Sequence, residues 1–128
     1  MGMPAAKQGD QVMATDMHMI QPPGTAPPVL TPHPFAGLID GGLSSDVKIM
    51  GMPAATMNST ASNTPAHVPI GGTFVNPPTN RATIVMASAT VMINGKGAVR
   101  NGDTAKTCND PAELPVGTIV AVGTVMIG

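Results

Sequence analysis

The side chains able to bind a metal or attack a bond are few and far apart in this sequence. It holds three histidines, His18, His33 and His67, and a single cysteine, Cys108. Neutral imidazole and thiolate are zinc ligands, and a structural zinc takes four of them in a closed tetrahedron. No C-x-x-C or H-x-x-x-H spacing groups these four, however. Scattered histidines are mostly surface residues, and a lone cysteine is mostly a buried filler. His33 stands between Pro32 and Pro34, which stiffen an extended backbone and suit a ligand delivered from a loop. The 11 methionines are the other soft donors. Met1-Gly2-Met3, Met17-His18-Met19 and Met50-Gly51-Met52 are Met-x-Met arrangements whose thioethers suit Cu(I), so a Met/His-rich copper-binding protein is a second reading. Against it, methionine is expected to fill the core of a chain this poor in aromatics.

Catalysis finds no constellation, and no enzyme is expected. Cys108 with a histidine would make a nucleophilic pair, but no oxyanion-forming motif accompanies it, and Gly95-Lys96-Gly97 lacks the spacing of a phosphate loop. Asp10 and Asp103 each follow a glycine. Their recurrence points to carboxylates that bond the backbone of their own turns.

The elements that must carry these residues belong to one domain, given 128 residues. Phe35 and Phe74 are the only aromatics, so the core must come from Val, Ile, Leu, Met and Ala, and a further constraint, a metal or a partner, is expected to hold it. Lys and Arg number 6 against 7 Asp and Glu, and charged residues make up 10%, where about 25% is ordinary. The six cations are scattered, which excludes a phosphate-binding face and hence nucleic acid. No window approaches the roughly 20 apolar residues of a membrane helix, and the N-terminal MGMPAAKQGD has no signal-peptide pattern. Stable membrane insertion is not expected. The 14 prolines break every long helical window, and the prediction is an all-β fold of short strands, hairpins and Pro-rich loops. Arg81 to Ile93 is free of Gly and Pro and reads as a strand with Thr83, Val85, Ala87, Ala89, Val91 and Ile93 on one face. Asn94-Gly95 and Asn101-Gly102 are tight-turn signals.

Self-similarity organises the chain. Met1-Gly2-Met3-Pro4-Ala5-Ala6 recurs as Met50-Gly51-Met52-Pro53-Ala54-Ala55, and more loosely as Asn94-Gly95-Lys96-Gly97-Ala98-Val99. Lys7-Gln8-Gly9-Asp10 answers Arg100-Asn101-Gly102-Asp103. Val47-Lys48-Ile49 and Val91-Met92-Ile93 lead into the second and third copies, and the approach missing from the first reappears at Val125-Met126-Ile127. The last strand should therefore lie beside the first copy, close a ring and bring the termini together. The division is a single domain over 1–128, with pseudo-repeats near 1–18, 47–67 and 91–108 and a closing strand at 123–128. A monomer with internal threefold pseudosymmetry is suited to capping a homotrimer, though duplication without such a partner is an equal alternative.

Gly-x-Pro-Ala-Ala-Lys-x-Gly-Asp at 2–10, Gly-x-Pro-Ala-Ala at 51–55, Val-x-Ile-Asn-Gly-x-x-Ala-x-Arg-x-Gly-Asp at 91–103 and Gly-Thr-Val-x-Ile-Gly at 123–128 resemble the PAAR-repeat proteins. The third copy departs from the pattern at Lys96-Gly97-Ala98-Val99, and Thr56 takes the basic position in the second. The resemblance implies a small all-β cone whose base docks, one per trimer, on a VgrG-type spike of a type VI secretion system or related contractile injection machine, aiding membrane puncture. It implies a tip that is assembled in the cytoplasm and delivered outward, with effector proteins as possible further partners; since Gly128 follows the final strand directly, a bare tip is expected. It also implies an apical zinc bound by His and Cys, for which His18, His33, His67 and Cys108 are the matching set. His18 and His67 occupy the same place in copies one and two; in copy three that place is Pro111, with Cys108 three residues earlier.

Overall fold

The computed structural model describes residues 2–128 and contains no helix; Met1, with the first residue of the opening repeat word and of its Met-x-Met, lies outside them. The fold is all-β. Six strands close on themselves: β2 (Gln11–Gln21), β3 (Val29–Gly41), β6 (Thr60–Asn63), β8 (Arg81–Ile84), β11 (Thr104–Thr107) and β12 (Leu114–Val120), which returns to pair with β2. All these pairings are antiparallel. Closure removes the sheet edges on which an unpaired backbone would otherwise be exposed. A short strand β7 (Thr73–Phe74) adds to the far end of β2.

Alternation along the strands decides what faces inward. β2 buries Val12, Asp16, His18 and Ile20; β3 buries His33, Phe35, Gly37 and Ile39. Gly37 is required where it stands, because a Cβ there would come within 2.7 Å of the Phe35 ring. Two of the four inward side chains on β2 and one on β3 are polar and titratable, in an otherwise apolar barrel.

At the other end of β2 the repeat words form a ring. Three two-stranded ladders build it: β1 (Met3–Pro4) with β13 (Met126–Ile127), β4 (Lys48–Ile49) with β5 (Met52–Pro53), and β9 (Met92–Ile93) with β10 (Lys96–Gly97). The first of these joins the two ends of the chain, Met3 opposite Ile127. The hydrogen bonds run in a cycle: Ala6 N donates to Val99 O at 2.9 Å, Val99 N to Ala55 O at 3.2 Å, and Ala55 N to Ala6 O at 3.1 Å. Inside it, Ala5, Ala54 and Ala98 pack with Ile127, Ile49 and Ile93 as a separate small core. Only alanine lets three backbones approach this closely while still covering the axis.

Two expectations are corrected. The 81–93 run is not one strand. It leaves the barrel after Ile84 and turns at Ser88, whose Oγ accepts from the backbone N–H of Thr90 and Val91 before β9 begins. Nor do the methionines fill the core, which among the described residues is mainly alanine and isoleucine with no buried methionine. The axis of the ring admits small side chains, and Met3, Met50, Met52, Met92 and Met126 are left exposed around it.

Candidate metal centre

His18 stands eight positions after Asp10, which at about 3.4 Å per residue places the histidines far along β2 from the ring. Asp16 and His18 share the inner face of β2, and His33 pairs directly with Asp16 across the β2–β3 ladder. Cys108 follows β11, and its loop is stitched to β2: Asn109 Oδ1 accepts from Met17 N at 2.7 Å, and Asp110 Oδ2 from Met19 N at 2.7 Å. His67 comes from the loop after β6. Asn80 Oδ1 fixes it by accepting from His67 N at 2.7 Å, and although the residue as a whole is only partly buried, its side chain is only 1% exposed.

The three imidazole rings meet, with centroids 5.5 Å apart for His18 and His33, 4.9 Å for His18 and His67, and 5.7 Å for His33 and His67. Cys108 Sγ lies 3.7 Å from His18 Nε2. Thus the structure brings His18, His33, His67 and Cys108 into one cluster. It adds a fifth member, Asp16, which is fully buried. The donor atoms of Asp16, His18, His67 and Cys108 all lie within 4.8 Å of one another, a group that could hold a metal ion; His33 is not part of that quartet. Both aromatics flank the rings, Phe35 at 5.9 Å from His67 and Phe74 at 5.7 and 5.4 Å from His18 and His33.

The donor set fits a metal. His33 Nδ1 lies 2.9 Å from Thr31 O and donates to it, leaving a bare lone pair on Nε2 that is buried without a partner. His18 Nδ1 faces Asp110 Oδ2 at 3.7 Å, an outer carboxylate of the kind that orients a ligating imidazole. Burial, with His67 adding to it, holds His18 below the usual imidazole range. Burial, reinforced by the Asp16 carboxylate, pushes the Cys108 thiol up to about 11, so an incoming metal must displace its proton. A groove of about 340 Å³ beside Pro34, Pro65, Val68 and Ile70 reaches His33 and His67 from outside. The Cys108 thiol is buried.

The repeat-equivalent acids play the part expected of them. Asp10 Oδ2 accepts from Lys7 N at 3.0 Å and Asp103 Oδ2 from Arg100 N at 2.7 Å, while in the middle repeat Ser59 Oγ accepts from Thr56 N at 2.9 Å. Each closes a turn whose third residue has positive φ: Gly9, Asn58 and Gly102.

The PAAR motif matches residues 30–111, more than half of the chain, a span that holds His33, His67, Cys108 and the second and third repeat words. The chain belongs to the PAAR motif family. Proteins with this motif are structural spike-tip proteins of type VI secretion systems, associated in general with VgrG spikes. No curated protein matches the chain. For this PAAR-motif chain the sequence missed Asp16, Asp110 and the flanking role of Phe35 and Phe74. A signal for Asp16 existed: in a strand, the residue two before His18 shares its face. No helix of the structure is long and apolar enough to cross a membrane.

Proposed function

We propose that this PAAR-motif chain is a single domain of three pseudo-repeats that caps a trimeric VgrG-type spike, one tip per trimer, as the metal-stabilised point of a type VI secretion system or related contractile injection machine. The observation that carries the reading is the ring. Three repeat-equivalent ladders surround a small Ala and Ile core, and a monomer built this way offers a similar edge to each of three identical subunits. Around the ring, Met3, Met52, Met92 and Met126 are exposed. Such a surface is largely apolar and deformable, as a docking face should be, with Lys48 and Lys96 as exposed charges on its ladders.

The metal is zinc, taken into the cluster of His18, His33, His67 and Cys108. When bound, it supplies a cross-link between β2, β3 and two loops remote in sequence, at the end where the protein meets a membrane on firing. The chain is assembled in the cytoplasm and carried outward with the machine, with effectors as further cargo.

Native mass spectrometry of the tip with its spike tests the ratio: one tip per three spike chains is expected, and three to three contradicts the pseudosymmetry argument. Elemental analysis of protein purified without added metal should find about one zinc per chain; copper in its place would favour a copper-binding protein.

A further inference from the structure

Sulfur divides between two places in this fold. The one thiol, Cys108, is buried, and no described methionine is. Among the described residues seven methionines are exposed. Five of these, Met3, Met50, Met52, Met92 and Met126, belong to the ring, from 38% exposed for Met52 to 57% for Met92. The buried core beneath them is alanine and isoleucine alone.

Their placement follows the repeats. The residue before each inward isoleucine, Ile49, Ile93 and Ile127, is Lys48, Met92 and Met126, and the residue before each Pro-Ala-Ala word or its counterpart is Met3, Met52 and Lys96. All six places are exposed, and each carries a long unbranched side chain, four thioethers and two ammoniums. Met50 adds a fifth thioether at the turn between β4 and β5, where its φ is 51°. A solvent-exposed thioether has a reaction that an aliphatic side chain lacks. Hydrogen peroxide breaks its O–O bond on the sulfur: the sulfur gives up an electron pair and keeps one oxygen as a sulfoxide, and the other oxygen leaves as water. A flexible apolar side chain thereby becomes a polar, chiral one.

We infer that the ring methionines are an oxidation site that controls docking: peroxide converts them to sulfoxides, and the tip loses its hold on the spike while its fold stays intact. The inference rests on the reading that the ring is the docking face. Burying a sulfoxide oxygen there without a hydrogen-bond donor costs about tenfold in affinity or more. The buried cores of barrel and ring hold no methionine, so nothing that holds the chain together is converted, and burial shields Cys108 from the same reagent. The step is reversible: methionine sulfoxide reductases, one for each epimer, restore the thioether as a dithiol becomes a disulfide and the oxygen leaves as water.

The test treats the whole chain with hydrogen peroxide, removes the reagent and reads each methionine by peptide mass spectrometry. The five ring methionines should gain oxygen ahead of Met17, Met19 and Met57, which are partly buried. The treated tip should bind a VgrG-type trimer at least about tenfold more weakly at an unchanged melting temperature, and the two reductases should restore binding. Met3→Leu, Met50→Leu, Met52→Leu, Met92→Leu and Met126→Leu together should give a tip that docks and that peroxide leaves unaffected. Met13→Leu, on the outer face of β2, should leave the loss in place. A treated tip that binds like the untreated one overturns the inference alone, as does a loss of binding that comes with a lowered melting temperature. Ring methionines that oxidise as fast in the complex with the spike as in the free tip overturn the docking reading with it.

Discussion

The ring and the histidine cluster are built on opposite principles. In the ring, backbone does the holding. Every repeat contributes an inward alanine, Ala5, Ala54 or Ala98, the hydrogen bonds cycle from chain segment to chain segment, and the side chains on the axis matter mostly by being small. In the cluster, side chains do the holding. Asp16, His18, His33, His67 and Cys108 meet there, only His18 and His67 coming from equivalent places in the repeats, and two buried ring nitrogens, His18 Nδ1 and His33 Nε2, lack partners. The ring is finished by folding alone, whereas the cluster carries a desolvation cost that an ion would remove. Under the proposed function, symmetry would suit a surface that meets three identical subunits, and asymmetry a point that need only be stiff.

The largest expected effect comes from removing the proposed metal. Structural zinc contributes on the order of 10 kcal/mol in small domains, so a strong chelator, or Cys108→Ser, should lower the melting temperature by tens of degrees. Hydrogen exchange should show the strands near His18 opening first while Ala55 and Val99 stay protected. An unchanged melt would mean that the two regions do not differ in this way. The converse experiment loads the ring. Ala54 is fully buried on the axis, and Ala54→Leu should cost about 1–3 kcal/mol by overpacking yet leave metal content unchanged, as read by denaturant melts and elemental analysis.

Acid should separate the regions as well. His18 is held below its ordinary value of 6.5, so the unfolded chain takes up a proton that the folded chain refuses. Stability of the metal-free protein should therefore fall as pH drops below about 6.5, with a slope of up to ~1.4 kcal/mol per pH unit from this group. Cys108 works at the other extreme: its raised value near 11, against 9.0, makes stability fall as pH rises between them. Urea melts across this range check both signs, and His18→Gln should flatten the acid limb. The smallest effect belongs to the β9–β10 turn, where Gly95 has φ 77° and open space around it. Gly95→Ala should cost about 1–2 kcal/mol at most, from the backbone alone, with no change in metal binding.

Much of the ring was legible because its information is local and repeated. The Gly-x-Pro-Ala-Ala words, the Val-x-Ile approaches and the Asn94-Gly95 turn each specify a short piece of backbone, and Val125-Met126-Ile127 stood out as the missing partner of the first copy. The methionines were misjudged for a related reason: hydropathy reports that a side chain prefers burial, not whether the place available is wide enough. The unbroken strand expected over 81–93 failed because nothing in that run marks Ser88 as a turn until its hydroxyl has backbone N–H groups to accept from.

By itself, then, the sequence determined an all-β chain, a ring of three repeat words closed by the last strand, and a short roster of candidate ligands. Only the tertiary structure decided what those ligands face. Asp16 lies opposite His33 because β2 and β3 pair in one register, near Cys108 because the loop after β11 is tied to Met17 and Met19, and against His67 because Asn63 and Asn80 orient that ring. Each of these relations joins residues from separate strands and loops. Secondary structure is written in neighbouring residues, whereas the partner of a buried polar atom is set by the pairing of distant ones.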